Sequence, residues 1–388
     1  MKVLIVCSGD WLERWASFIE AIGEKDSVEL TVATTKGNSF TMDRIQKLND
    51  VGIKTVMFKS IPGKWTGFEA STVYGKGIGN LIRSGFDAVH FIAEASYIGT
   101  YQFLRSIRKL APETVTTIRA AQNVVKHFPY PFKKIEEYSY QQFDAIIPLF
   151  KDQEEVLRQK GYLGKTYFIG NGFDHHLFRP SETAVRNEPY HFGFVGYFEH
   201  YKGIYTLLNA LKILENENFK LTMIAKGNEK EQFLQQAEKM NIQDKIHVHD
   251  LIPQTRLPEF LNQIDALILP SEEAYYLRKN KLKFMPKFKP HLVKEQFGRV
   301  LVEAMACRKV VIGSTCGGIP QVIGDAGLIF RQKNPKELAA KMKLLIDDEQ
   351  LNEILQAKAF EKANTDYTWD KIASKYVGVW EELIQKRG

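Results

Sequence analysis

The sequence holds three cysteines in 388 residues, Cys7, Cys307 and Cys316. They are too few and too scattered for a disulfide framework or a paired-cysteine metal site. That scarcity suits a reducing compartment, so a cytoplasmic protein is expected. Long apolar runs are also missing. The longest uncharged stretch, Val310 to Gly324, is broken by four glycines and Pro320, whereas a membrane-spanning helix needs roughly 20 apolar residues. The amino-terminal run Val3–Val6 is too short for a signal peptide. Nor is there a strong global charge. Lys+Arg 53 against Asp+Glu 46 leaves +7, and residues 278–294 hold seven basic side chains and no acid, so the remainder balances. A nucleic-acid binder would spread its excess over a face or helix, and no such partner is expected. No Gly-x-Gly-x-x-Gly follows Val3–Val6, which disfavours a nicotinamide dehydrogenase. No Asp-x-Asp pair stands at a strand end, so no catalytic metal and no cofactor is expected.

What is present is ample apolar content, 44%, with 26% charged residues, enough for two full cores. Short β-branched runs alternate with helical patterns: Val3–Val6, Leu30–Ala33, Thr55–Phe58, Ala88–Phe91, Val115–Ile118 and Ala145–Pro148. After a turn-rich stretch the alternation restarts with His191–Val195, Leu221–Ile224, Lys245–Val248, Ala266–Leu269 and Val310–Gly313. This is the pattern of an α/β protein with two Rossmann-like, doubly wound domains in tandem. The expected boundaries are 1–170 for the first domain, 171–188 for a linker and 189–366 for the second. Residues 367–388 should form a closing helix that packs back on the first domain. Parallel sheets bind ligands beyond the carboxyl ends of their strands, so a cleft between two facing domains is where the chemistry is expected.

The most specific motif is Glu295-Gln-Phe-Gly-Arg-Val-Leu-Val-Glu303, followed by Ala304-Met305-Ala306. A helix starting near Phe297 would turn unpaired amides and its positive dipole end toward a diphosphate or sugar hydroxyl. Glu295 would stand at its mouth with Phe297 and Gly298. Glu303, two turns on, offers two acceptor oxygens to a diol such as a ribose. Read by spacing alone, the same residues make a capped amphipathic helix with exposed glutamates; the flanking strands and glycine loop favour a site. Lys202, in a loop before the helix Ile204–Leu214, suits a cation on a leaving diphosphate. Gly9, at the end of the first strand, is either a close approach to phosphate or a tight turn. Glu94 follows the fourth strand and could accept hydrogen bonds from an acceptor sugar. His90 on that strand reads more readily as a buried histidine than as a proton carrier. Gln122 and Asn123 follow the next strand and either read hydroxyls or cap a helix.

These residues resemble the donor-binding half of the retaining glycosyltransferases of family 4. The resemblance rests on Glu295 to Ala306, on Ile312-Gly-Ser and on Ile319-Pro-Gln-Val-Ile-Gly-Asp-Ala-Gly-Leu-Ile-Phe330. It extends to Phe194-Val195-Gly196 with Lys202-Gly203, and to Asn171-Gly172-Phe173-Asp174 with Phe178-Arg-Pro180. His90, Glu94 and Gln122-Asn123 are similar to members that build surface polysaccharides and glycolipids. The resemblance implies the GT-B fold, with transfer from a nucleotide-sugar donor to a sugar or lipid-linked acceptor. It implies front-face attack with retention, the leaving phosphate helping to deprotonate the acceptor. It assigns Glu295 and Lys202 to catalysis, Glu303, Phe297, Gly298, Gly196, Gly9 and Lys226 to the donor, and Glu94, Asn123 and His90 to the acceptor. Tyr197 stands where the family usually has Arg, so Lys202 carries the diphosphate alone unless another basic residue, such as Lys226, substitutes as a second cation. Arg308-Lys309-Val310 replaces the usual Gly-x-Pro.

Residues 278–294 interleave those seven basic residues with Phe284 and Phe288. A solvated loop, a patch for an anionic membrane surface and a groove for an anionic acceptor all fit. The competing functions are a sugar-nucleotide epimerase of the same architecture and a non-catalytic sugar-nucleotide binder.

Overall fold

The structure is a computed structural model that describes residues 1–36, 39–61, 69–181, 188–276 and 291–387. Its contacts divide the described chain into two units, residues 1–170 with 369–387 and residues 171–276 with 291–368.

In the first unit, the apolar run after Lys2 is buried at every position, as a strand covered on both faces requires. It forms β1 (Lys2–Cys7), followed by β2 (Glu29–Thr35) and β3 (Lys54–Phe58). A small hairpin, β4 (Ser60–Ile61) with β5 (Val73–Tyr74), comes next, then β6 (Ala88–Ile92), β7 (Val115–Ala120), β8 (Ala145–Pro148) and β9 (Lys165–Thr166). The seven-stranded sheet runs β3-β2-β1-β6-β7-β8-β9, with parallel pairing throughout. Chain order reverses between β1 and β6, where Cys7 lies opposite Ile92. Ligands bind at such a switch point in open α/β sheets. One face of the sheet packs on Trp15, Phe18, Ile19 and Ile22, the other on Phe103, Leu104 and Phe143.

The closing helix Trp369–Gln385 belongs to this first unit. Trp369, Ile372, Ala373, Tyr376, Trp380 and Leu383 recur at helical spacing and are all buried, joining the cluster around Trp15 and Phe18. Trp380 is fully buried, and its indole N–H donates to Thr117 Oγ1 on β7 at 3.0 Å.

The second unit repeats the plan with β10 (Tyr190–Tyr197), β11 (Phe219–Lys226), β12 (Ile246–His249) and β13 (Ala266–Leu269). A hairpin of β14 (Ala274–Tyr276) and β15 (His291–Val293) precedes β16 (Val310–Ser314) and β17 (Leu328–Phe330). Its sheet order is β12-β11-β10-β13-β16-β17, so the switch point lies between β10 and β13. Every strand expected from the sequence is present; β9, β17 and the two hairpins were not foreseen, being only two or three residues long per strand. Among the described residues, no helix is long and apolar enough to cross a membrane.

Removing the Trp380 ring would open a cavity and take from the Thr117 hydroxyl one of its two partners, the other being His90 Nδ1 at 2.9 Å. Trp380→Ala is therefore expected to destabilise the first unit by about 3–5 kcal/mol, read as an earlier unfolding transition in denaturant. A change below about 1 kcal/mol would show that the closing helix is dispensable to that core.

Candidate active site

After β10 the chain turns through Phe198 to Gly203 before entering the helix Ile204–Ile213. Gly203 has φ +70°, and a Cβ there would lie 1.8 Å from the Pro270 carbonyl oxygen. Only glycine permits this approach, which brings neighbouring Lys202 against the segment that follows β13. Lys202 Nζ donates to Glu295 Oε2 at 2.7 Å, and Ser271 Oγ donates to the same oxygen at 3.1 Å. The Glu295 backbone is held as closely. Its carbonyl accepts from the Gly318 N–H at 3.0 Å, and its own N–H donates to Cys316 Sγ at 3.4 Å. Gly317, at φ +56°, passes so near that a Cβ would lie 1.9 Å from the Glu295 carbonyl oxygen. Lys202, Ser271 and Glu295 thus meet at the carboxyl ends of β10 and β13, the switch point of this sheet.

The electrostatics follow from partial burial of an ion pair. Burial works against both charges, but the opposite charge and the hydrogen bonds prevail. The Lys202 ammonium lies above the ordinary lysine value and the Glu295 carboxyl below the ordinary glutamate value, so both stay charged around neutrality. Burial pushes the Cys316 thiol up to about 11, which leaves it a neutral buttress.

Glu303 behaves oppositely. It is 5% exposed on the helix Arg299–Ala306. Gln254 Nε2 reaches its Oε1 at 3.3 Å, and Arg299 Nη2 stands 3.7 Å away. Burial raises its pKa more than these neighbours lower it. The two glutamates of one motif are thus driven apart in acidity.

Several sequence expectations change here. The helix begins at Arg299, with Gly298 at φ +77° as its N-cap, rather than near Phe297. Phe297 is buried, edge-on to Tyr367 at 5.6 Å between ring centres; its side chain anchors the loop and cannot touch a donor. His90 is fully buried among Phe18, Tyr376 and Trp380. Burial pulls its pKa down to about 3, so it is a neutral core residue and not an acceptor ligand. Gly9 opens the helix Gly9–Gly23 instead of ending β1, and its N–H is already given to Thr35 Oγ1 at 3.1 Å, so that amide is not available to a phosphate. Gly196 lies within β10, a Cβ there 3.0 Å from the Phe194 ring. Lys226 is exposed and pairs in register with Tyr197. Glu94, half-buried past the end of β6, accepts from Gln122 Nε2 at 2.6 Å, with Asn123 half-buried beside it. Of the basic run 278–294, residues 278–290 lie outside the described residues.

Sequence reasoning passed over Ser271, Cys316, Gly317 and Gln254. Pro270-Ser271 and the Cys316-Gly-Gly loop flank the motif, so their closeness to it was the available signal. Among the described residues, Glu199, His200 and Glu229 form a group able to hold a metal, their ligand atoms all within 4.8 Å. It is tied internally, because the His200 N–H donates to Glu229 Oε1 at 3.0 Å and Asn228 Nδ2 donates to Glu199 Oε1 at 3.1 Å.

A family model described as glycosyl transferases group 1 matches residues 178–362. The chain is 28% identical over 191 residues to N-acetyl-alpha-D-glucosaminyl L-malate synthase of Bacillus anthracis, covering 48% of this chain and 44% of that protein. It is 30% identical over 140 residues to N,N'-diacetylbacillosaminyl-diphospho-undecaprenol alpha-1,3-N-acetylgalactosaminyltransferase of Campylobacter jejuni, covering 36% and 31%. The chain therefore spans about half the length, or less, of these curated relatives. The crystal structure of Anabaena HepE in complex with UDP superposes with a TM-score of 0.73 at 16% identity, over 98% of this chain and 100% of that one. With this superposition over nearly its whole length the chain has the GT-B architecture, and residues 178–362, just under half of it, are similar to the group 1 glycosyltransferases.

Proposed function

We propose that the chain is a retaining glycosyltransferase that moves a sugar from a nucleoside diphosphate donor to an acceptor hydroxyl, without a resident metal, in the assembly of a surface polysaccharide or glycolipid. The observation that carries this reading is the Lys202–Glu295 pair with Ser271 at the switch point of the second sheet. An ammonium donates up to three hydrogen bonds, so Lys202 can hold Glu295 and still reach a phosphate oxygen. As the glycosidic carbon–oxygen bond breaks, negative charge gathers on the diphosphate, and Lys202 with the amides opening the helix Arg299–Ala306 offsets it. Glu295 orients the donor sugar through its hydroxyls. The acceptor oxygen bonds to the anomeric carbon on the face the diphosphate leaves, and its proton passes to the departing phosphate. Glu303 takes a ribose diol, and Lys226, registered beside Tyr197, adds the second cation.

The lipid-linked substrate in the name of the Campylobacter relative and the UDP bound to HepE support a uridine nucleotide donor and a lipid-linked acceptor. The basic run 278–294 suits the anionic membrane face where such an acceptor resides. An epimerase is disfavoured because it needs an acid/base pair at the anomeric carbon, whereas Glu295 is held ionised by Lys202.

Glu295→Gln, which keeps an acceptor for Ser271, is expected to lower turnover on the order of 10²-fold with uridine diphosphate binding little changed. Lys202→Ala combined with Glu295→Gln leaves no unpaired buried charge and should weaken uridine diphosphate by roughly 10-fold or more in calorimetry. Wild-type turnover in the first, or wild-type affinity in the second, rejects these roles.

Glu303 yields a pH prediction. Its folded pKa is raised, so the folded state holds a proton that the unfolded state releases. Stability from this group falls as pH rises through that range, and above the folded pKa the ionised carboxylate is a fixed cost. Glu303→Gln should thus raise the melting temperature of the free protein at pH 7, the gain vanishing below about pH 4, while weakening nucleotide binding. A lowered melting temperature at pH 7 would contradict it. Transfer is expected to survive chelation; loss with EDTA and recovery with a divalent ion would place a metal in the reaction, with Glu199, His200 and Glu229 the first ligands to test.

A further inference from the structure

The first unit carries a chain of polar side chains running from its interior to the carboxyl end of β6. Lys160, which caps the helix Lys151–Gln159, and Glu136, on the helix Phe132–Gln142, have side chains only 5% and 8% exposed. Lys160 Nζ donates to Glu136 Oε1 at 2.6 Å and to Gln122 Oε1 at 2.8 Å. Gln122, itself buried, donates from Nε2 to Glu94 Oε2 at 2.6 Å. Tyr140 Oη donates to Glu136 Oε1 at 3.3 Å, and the Phe128 ring centre lies 5.0 Å from the Lys160 nitrogen.

This chain has one possible polarity. An ammonium has donors and no acceptor, so the Gln122 atom facing Lys160 must be its carbonyl oxygen. The amide NH₂ then faces Glu94, and the oxygen it meets must accept. Glu94 Oε2 is thereby fixed as the acceptor of that amide, and its second oxygen, without a partner among the described residues, is left to meet a ligand donor. Stability gives no reason to build this. A buried ion pair is commonly matched or bettered by apolar residues of the same volume, and burial still holds the Glu136 carboxyl above the ordinary range despite Lys160. The far end is where a ligand would be met. Glu94 is half-exposed at the β1/β6 switch point, and its neighbour Ala93 lines a cavity with Ser8, Trp11 and Tyr97.

We propose that Gln122, Lys160 and Glu136 are positioning residues that hold Glu94 as a hydrogen-bond acceptor for a hydroxyl of the acceptor substrate, so that this subsite takes a neutral polyhydroxyl group and rejects a phosphorylated one. The proposal rests on the glycosyltransferase reading for the identity of its ligand as an acceptor, and on the geometry above for its selectivity. Replacing the interior pair by apolar residues frees the Gln122 amide to turn over, and its carbonyl then meets Glu94 in a share of molecules. Glu94→Gln acts differently: Gln122 still donates to the new carbonyl, and an NH₂ donor is turned outward in place of an acceptor.

The test is saturation-transfer NMR on the full chain with methyl α-glucoside, methyl α-galactoside, methyl α-mannoside and glycerol as neutral probes and glucose 6-phosphate as the anionic one. Uridine diphosphate binding is measured on the same samples. Wild type should bind at least one neutral probe and prefer it to the phosphate ester. Lys160→Met alone leaves Glu136 buried without its cation and is expected to fold poorly. The double variant Lys160→Met with Glu136→Leu, and Gln122→Met, therefore carry the comparison. Both should lose about 10-fold or more in neutral-probe affinity with uridine diphosphate affinity unchanged, and Glu94→Gln should shift preference toward glucose 6-phosphate. A merely structural role would not move that preference. Unchanged neutral-probe affinity in the folded double variant and in Gln122→Met overturns the proposal, as does wild type that binds no neutral probe or prefers the phosphate ester. Failure of wild type to bind uridine diphosphate would instead reject the donor reading and leave the selectivity result standing.

Discussion

The ion pair between Lys202 and Glu295 is the interaction around which the second unit is arranged. Two charges placed side by side in a partly dehydrated setting lose hydration that only close geometry offsets, and here the backbone enforces that geometry. Gly203 lets the turn carrying Lys202 press against the Pro270 carbonyl, and Gly317 lets the loop after β16 press against the Glu295 carbonyl. Neither approach leaves room for a Cβ. The charges are therefore brought together by three loops, each at the carboxyl end of a parallel strand, and Ser271 bonds the same carboxylate oxygen from the segment after β13. Loops of this kind are cheap to vary and hard to position. Two glycines supply the positioning that side-chain packing alone would leave loose.

The same motif separates its two carboxylates by environment. Glu295 has a cation and a hydroxyl on one oxygen and is driven toward ionisation. Glu303, eight residues on in the sequence, has a distant guanidinium and one long amide contact and is driven toward its neutral form. A group that is costly when ionised in the free protein gains most from a ligand that brings hydroxyl donors. Glu295 already has its partners, so its value to a ligand is orientation. One nine-residue motif, with Glu295 ahead of the helix and Glu303 on it, thus supplies two kinds of carboxylate.

Much of this was legible in the sequence because strands and charged motifs are local signals. The β-branched runs located every strand of four or more residues, and the run from Glu295 to Glu303 with Lys202-Gly203 pointed to the second unit. What escaped was set by tertiary contact. Ser271 looks like any loop serine until the approach at Gly203 places it beside Glu295. Phe297 sits inside the motif but points into the core, because an aromatic at the entry to a short helix secures more by burial against Tyr367 than by facing solvent. His90 is the buried histidine that its strand position suggested; only the acceptor role implied by the resemblance fails, because both faces of that central strand are covered and Phe18, Tyr376 and Trp380 surround the ring. Glu136 on one polar helix and Lys160 at the end of another are 24 residues apart, and nothing local marks them as a deeply buried ion pair.

The two units solve one problem by different means. At each switch point a carboxylate must be oriented while part of it stays open to a ligand. In the second unit a lysine does this directly, and that lysine is itself suited to a phosphate. In the first unit the lysine is withdrawn into the interior and acts through the Gln122 amide. A direct cation beside Glu94 would attract anions to the surface as well as orient the carboxylate. An amide relay transmits orientation while its cation stays buried and neutralised by Glu136, so the exposed end keeps the net character of a carboxylate. On the proposed roles, a cation at the surface of one sheet and a cation at depth in the other give one chain an anion-seeking site and an anion-rejecting one.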